Sequence, residues 1–462
     1  AISMPAIPLW LRTRRSLYLS FSLLLLAGIM LHPSTFGSAA FAKDSKVNTN
    51  TGIRFSQQSR IGFQSGDDWE PSIAADRFGH VYAFYKHYDV TGGQTCTGCE
   101  KHLLVQRSDD GGRTWSAPRP VAPGPVKGGQ YDSQIVVDPV DGRTLWASFL
   151  QFSNSLIGVV KSTDFGQTWS PVQIVSDQPP GLDKDELAVR GDTVLVAYDD
   201  NFSTFVSVTQ DGGKHWRSHL VFPTTQKLGI ALSAGAAIDS QGNFYISWDS
   251  FDKAHRQTGH GPATLWVSKS SDNGQTWTRT IISVSVGAAP LCNQCGFDYF
   301  SSQMALRVGS DDTIYLLWNS NVDGIDFSPE RIFFSRSTNH GRTYSLPVDI
   351  SDASFGVEHC FPALAVGRSA GDVRIGWMDV RTGAWNVFFR KSNDGGIHFS
   401  NTERISGFVP GYPYLTQAGY SLPYGDYFAM TVDGQNNTQI AWGEGPGYAG
   451  PGNQWVSRSI NV

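Results

Sequence analysis

The chain has 462 residues, of which 40% are hydrophobic and only 17% charged, with 49 glycines and 14 tryptophans. Few charges beside many glycines and aromatics suit short strands and tight turns, and no stretch carries the three-to-four-residue apolar period of an amphipathic helix. The net charge of −5 argues against a nucleic-acid surface or one for anionic membrane.

The first feature in chain order is a secretory layout. Arg12, Arg14 and Arg15 precede an apolar run from Leu17 to Leu31, and Ala40-Phe41-Ala42 offers small residues for cleavage. The run is shorter than the ~20 residues of a spanning helix. Thr13-Arg14-Arg15-Ser16-Leu17 reads equally as a twin-arginine export signal or as an ordinary signal with two adjacent arginines. Residues 1–42 are expected to be a signal peptide, 43–54 a linker and 55–462 a single domain that works outside the cytoplasm.

From Val81 onward one pattern recurs. A short strand ends in an aromatic residue: VYAFY at Tyr85, WASF at Phe149, VLVAY at Tyr198, FYISW at Trp248, IYLLW at Trp318, VRIGW at Trp377 and QIAW at Trp442. Six of the seven are followed by an eight-residue box: SDDGGRTW from Ser108, STDFGQTW from Ser162, TQDGGKHW from Thr209, SSDNGQTW from Ser270, STNHGRTY from Ser337 and SNDGGIHF from Ser392. Units of about 50 to 70 residues, each with several short strands, predict an all-β, seven-bladed β-propeller of four-stranded antiparallel blades, with six blades as the alternative. The seventh unit stops after Gln454–Ser459 without a box, so Arg60–Gln64 is expected to supply its missing strand and close the ring.

The box is turn chemistry. Its Asp carboxylate accepts hydrogen bonds from its own turn, Gly supplies positive φ, and the final aromatic packs back between strands. Counting strand directions puts all six boxes on one face, and the loops between blades and between second and third strands on the other. Six alike turns facing away from the loops read as scaffold.

Boxes of the form Ser-x-Asp-x-Gly-x-Thr-Trp on propeller blades resemble the Asp-box (BNR) repeats of the sialidase-like superfamily, over about residues 55–462. The resemblance implies a carbohydrate-active propeller, in the first instance a glycoside hydrolase. Sialidases of this kind carry an Arg-Ile-Pro motif on the first innermost strand, whose arginine joins two others to grip a substrate carboxylate, and a tyrosine nucleophile in the last blade. Here Asp68-Trp69-Glu70-Pro71 puts Trp69 at the arginine's place, and His359-Cys360-Phe361-Pro362 puts Cys360 there in the sixth unit. Arg60-Ile61-Gly62 falls in the closing strand, and Tyr420-Ser421 comes nearest to the tyrosine motif.

Propeller ligands sit at the channel mouth on the loop face, where residues preceding the innermost strands converge. These are Asp67 to Glu70, Tyr131 and Asp132, Asp183 to Asp185, Ser233, Asp298 and Tyr299, Glu358 and His359, and Asp426 and Tyr427. The candidate catalytic set is Asp68, Glu70, Asp132, Asp185, Asp298, Glu358, His359, Asp426 and Tyr427, with Trp69, Tyr131, Lys184 and Tyr299 as substrate-binding candidates. An acidic, aromatic-lined mouth suits acid–base work on a sugar or the binding of a cation, although Asp and Tyr also start strands and cap turns. His359 reads as a general base, a metal ligand or a hydrogen-bonded structural residue.

All five cysteines fall on the loop face: Cys96, Cys99, Cys292, Cys295 and Cys360. In an exported protein the default is disulfides with one thiol left over. The alternative is a metal site of thiolates assisted by His102, His255, His260 or His359. No other cofactor is expected. The partner is a glycan or other small molecule, with no nucleic acid, no membrane after signal cleavage, and a monomeric chain. Three functions stand open: glycan hydrolysis, non-catalytic glycan or protein binding, and metal or redox chemistry at the cysteines.

Overall fold

The computed structural model describes residues 53–91, 101–122, 129–151, 156–177, 181–200, 203–222, 228–252, 263–285, 303–321, 329–425, 427–447 and 449–460. Every regular element among them is a strand. The strands form seven antiparallel blades, bearing out the seven-unit reading. Blade 1 runs Asp67–Ala75, Val81–Tyr88, Lys101–Ser108 and Arg119–Pro120 from the channel outward. The innermost strands of the next five blades are Gln130–Val137, Asp183–Arg190, Leu228–Ile238, Met304–Val308 and His359–Val366, each followed by three more strands of its own blade.

The second strand of each blade is hydrophobic on both sides because it is covered on both sides. Val81–Tyr88 is buried along its whole length, and its Tyr82 and Phe84 pack against Leu145, Ala147 and Phe149 of blade 2. The same interlock repeats between later neighbours, so the apolar core is a series of wedges between blades. Trp248, Trp318, Trp377 and Trp442, the aromatic ends read from the sequence, are fully buried there. Burying such a side chain contributes roughly 1.5–3 kcal/mol each.

Blade 7 closes the ring with a strand from the other end of the chain. Its own strands are Ala429–Val432, Thr438–Gly445 and Asn453–Ile460, and the last of these pairs with Ser59–Ile61 (Arg60 opposite Trp455) and Arg54–Phe55. The expected closing segment therefore starts slightly earlier, and its pairing stops at Ile61, before the positive-φ Gly62.

Register fixes the faces. Ala75 lies opposite Val81, and Val81 opposite Ser108, so the box shares an end with the turn between first and second strands. Asp67, Tyr88 and Lys101 mark the other end, which is the mouth. The boxes are built as read. In the box of blade 4, Asp272 accepts from the Thr276 amide (2.9 Å) and hydroxyl (2.5 Å) and from Ser270 (2.7 Å), while Ser270 accepts from the Gly274 amide (2.9 Å). Those donors, Thr276 first, hold the Asp272 carboxyl down at about 2. The blade-5 box has Asn339, whose Oδ1 takes the same place without charge.

A pH dependence follows. A carboxylate held below its ordinary value contributes stability that is present above ~4 and is lost as pH falls through the folded-state value. Asp164, Asp272 and Asp394 all sit near 2. The melting temperature is therefore expected to fall steeply between pH 4 and 2. Asp272→Asn, which copies the natural Asn339, should weaken that acid dependence and leave the neutral-pH fold intact. Circular-dichroism melts from pH 2 to 7 check this, and an unchanged acid limb in a variant combining Asp164→Asn, Asp272→Asn and Asp394→Asn would contradict it.

Candidate functional site

The innermost strands do not run straight into the mouth. Register shifts occur between Trp69 and Ser72, Tyr131 and Gln134, Asp183 and Glu186, Ser233 and Gly235, and Cys360 and Ala363. Each is a bulge at the mouth end of its strand, and a bulge re-aims side chains that strict alternation would have sent elsewhere. Glu70, Asp132, Lys184 and Phe361 sit in these bulges with φ of 55°, 50°, 50° and 53°.

Below the mouth the channel holds a cavity of about 120 Å³. One side is polar, with Gln134, Lys184, Glu186 and Arg307, and the other is apolar, with Phe361, Pro362, Phe428 and Met430. Burial pushes the Glu186 carboxyl up to about 7, against the pull of the Arg307 and Lys184 charges. The same burial draws Arg307 below its usual value, and Glu186 opposes that shift. Tyr427 also lines this space, with the Lys184 ammonium 5.3 Å from its ring centre. Burial, and then the charges of Asp132, Glu70, Asp185 and Glu186, keep its phenol well above the usual range.

Four carboxylates from blades 1, 2 and 3 thus face one tyrosine of blade 7. Asp185 is fully buried, with one oxygen taking the Ser148 hydroxyl and the other, Oδ1, without a partner. Burial, followed by the Asp132 charge, holds Asp185 well above the ordinary carboxylate range. The Asp132 Oδ2 and the Tyr427 hydroxyl are likewise buried without a partner. Lys86, wholly buried, stands 2.8 Å from the Tyr131 ring centre and 4.7 Å from that of Tyr88. An arrangement with carboxyls raised by burial, further carboxyl groups, three cations and a tyrosine in a confined space can move protons to and from a bound polar molecule.

Of the residues singled out from the sequence, Glu70, Asp132, Lys184, Asp185 and Tyr427 come together here, with Tyr131 at their edge. Asp68 does not join them: its carboxylate takes His87 Nδ1 at 2.8 Å and the Phe63 amide at 3.0 Å, next to the closing strand. Trp69 is 3% exposed and packs on Tyr424 (ring centres 4.9 Å apart) and Tyr88 (6.0 Å), so it is core and not an open stacking surface. Asp298, Tyr299 and Asp426 lie outside the described residues.

Glu358 and His359 build a separate buried cluster between blades 5 and 6. The Glu330 amide donates to Glu358 Oε1 (3.0 Å), His359 Nδ1 donates to the Glu330 carbonyl (2.9 Å), and Asp379 binds Arg381 (2.7 Å) and Trp377 (2.8 Å). Burial pushes Glu358 up to about 8 and draws His359 below its usual value. Cys360, buried and unbridged, and Tyr420, 1% exposed, belong to the core between blades 6, 7 and 1. Cys96, Cys99, Cys292 and Cys295 lie outside the described residues, as do His255 and His260. Among the described residues no group of three or more His, Cys, Asp or Glu side chains is arranged to hold a metal ion.

The positions at which sialidase arginines are implied, Trp69 and Cys360, are thus both interior apolar positions. Arg307 is the one arginine lining the cavity among the described residues. Sequence reasoning missed it, together with Glu186 and Lys86. Arg307 sits in Met304–Val308, late in an innermost strand whose start was sought at Asp298. Glu186 is one residue past the last position considered in Asp183-Lys184-Asp185. Lys86 follows the aromatic that marked the second strand.

Residues 54–282 match the family described as BNR repeat-like domain. A search of curated proteins found no match. Among solved structures, an ulvan lyase, from a new family of polysaccharide lyases, superposes with a TM-score of 0.53 at 10% identity, over 86% of this chain and 95% of that one. A Dyadobacter fermentans protein of unknown function superposes with a TM-score of 0.51 at 14% identity, over 88% and 99%. A Hadza microbial sialidase gives 0.46 at 14% identity, over 85% and 66%. At these identities the likeness is one of fold. Residues 54–282 thus carry the BNR repeat-like domain, and the six boxes and seven blades continue the same repeat beyond them.

Proposed function

We propose that the channel mouth is the active site of a secreted carbohydrate-active enzyme that hydrolyses a glycosidic bond. The observation that carries this reading is Glu186: a carboxyl that burial brings to about 7, on the wall of a cavity, flanked by Lys184 and Arg307 and facing Asp132 and Tyr427. Glu186 gives its proton to the leaving glycosidic oxygen as the C–O bond breaks. Asp132 takes a proton from the water that adds to the anomeric carbon, so the pair exchanges one proton each way. Lys184 and Arg307 hold the sugar's oxygens, carboxylate included where the sugar bears one. Trp69 and Cys360 at the implied arginine positions argue for a grip unlike that of the sialidases.

The test is a panel of sialosides, uronic-acid glycans and neutral glycans, read by new reducing ends and by binding. Turnover on at least one class, lowered at least 100-fold in Asp132→Asn with folding unchanged, supports the proposal. Tight binding of a glycan with no new reducing end would replace it with the binding-propeller reading.

A further inference from the structure

Ten described non-glycine residues have positive φ, and six of them lie in turns or loops outside the strands. The remaining four, Glu70, Asp132, Lys184 and Phe361, lie inside strands, at the same bulge of blades 1, 2, 3 and 6. The left-handed region disfavours any side chain with a Cβ, and a chain with 49 glycines has the cheaper residue to hand. Where the mouth needs only backbone, the chain uses it: Gly425 in blade 7 has φ 96°, and a Cβ there would lie 2.4 Å from Trp69 and 2.8 Å from the Glu70 amide.

Strain kept in the same register of four blades points to side chains required for contact and not for folding. Their placement agrees. Lys184 and Phe361 line the cavity, and the charges of Glu70 and Asp132 act on Tyr427 at its mouth. We propose that the four strained bulge residues form the ligand-contacting ring of the mouth, with Phe361, which lines the cavity, as its apolar wall. This rests on the channel mouth being the glycan site.

The experiment has two arms. In the first, Glu70→Gly, Asp132→Gly and Lys184→Gly are melted beside Asn273→Gly, a positive-φ turn residue on the box face. Relief of strain should raise each melting temperature by about 1–2 °C or leave it unchanged. A fall of 5 °C or more at these positions would mean that the side chains hold the fold, and the ring would be abandoned. In the second arm, wild type, Phe361→Leu and Lys184→Gly are titrated with the best glycan of the panel. Phe361→Leu keeps an apolar side chain and reshapes the cavity wall, so a tenfold or greater loss of affinity with an unchanged melting temperature supports the contact. Wild-type affinity in both variants would overturn the ring even if the enzyme is active. A wild type that binds no glycan at all would overturn the proposed function, and the stability arm alone would then decide whether the strain is structural.

Discussion

A chain that begins at residue 63 is expected to lose the fold, with a melting temperature more than 10 °C lower or with aggregation in place of a cooperative melt. The closing segment contributes more than two short strands. Ile61 is buried between blades 7 and 1, and Phe55 packs edge-on to Phe389 of blade 6 with ring centres 4.9 Å apart. Buried Gln58 ties three places together: its Nε2 reaches Glu444 at 3.4 Å, and its Oε1 takes the Gly407 amide at 2.9 Å. Ser56 donates to the Arg458 carbonyl at 2.9 Å and takes part in a hydroxyl pair with Ser457. Two apolar side chains at roughly 1.5–3 kcal/mol each and several hydrogen bonds at about 1 kcal/mol each sum to roughly 6–10 kcal/mol. That rivals the ~5–15 kcal/mol that holds an ordinary domain together. Truncation would also bare Asn453–Ile460 as an open edge, the template for strand addition between chains. Denaturant melts and light scattering of the truncated chain check this. A soluble, cooperative melt within a few degrees of wild type would show that blade 7 does not depend on its borrowed strand.

Glu186→Gln is expected to lower turnover by 100-fold or more on whichever glycan the enzyme cleaves, because the amide cannot give up a proton. Wild-type activity should fall as pH rises through about 7, where Glu186 ionises. The same substitution carries an opposite mark in stability. An acid whose folded value lies above its unfolded 4.5 loses stability as pH rises between the two, since the unfolded chain releases the proton first. The gap is worth up to about 3 kcal/mol. The variant should therefore melt higher than wild type at pH 8 and nearly level with it at pH 4. Loss of activity with a gain of alkaline stability marks a group held for chemistry. Loss of both would mark Glu186 as a structural partner of Arg307, and retained activity would remove it from the mechanism.

The order of elements, the blade number and the scaffold turns were legible in the sequence because they are local and repeated. A box such as Ser270 to Trp277 closes its hydrogen bonds within itself, so its spelling determines its structure wherever it stands. The closing strand was legible for a different reason. A seventh unit short of a strand, with a spare one ahead of the first unit, leaves one way to avoid an open edge. The working surface was less legible. Period-two alternation assigns faces only while a strand stays regular, and five innermost strands break register at the mouth. Across one such break, Asp185 goes to the interior and its neighbour Glu186 to the cavity, and no spacing in Asp183-Lys184-Asp185-Glu186 says which. Trp69 reads as an exposed aromatic beside two acids until the ring closes and sets Tyr424 and Tyr88 against it. Arg307 acts on Glu186 only because the ring turns blades 3 and 5, one blade apart, toward the same channel. What a segment does with its own hydrogen bonds was written in the chain. Which side chains share the axis was decided by the closure of the ring.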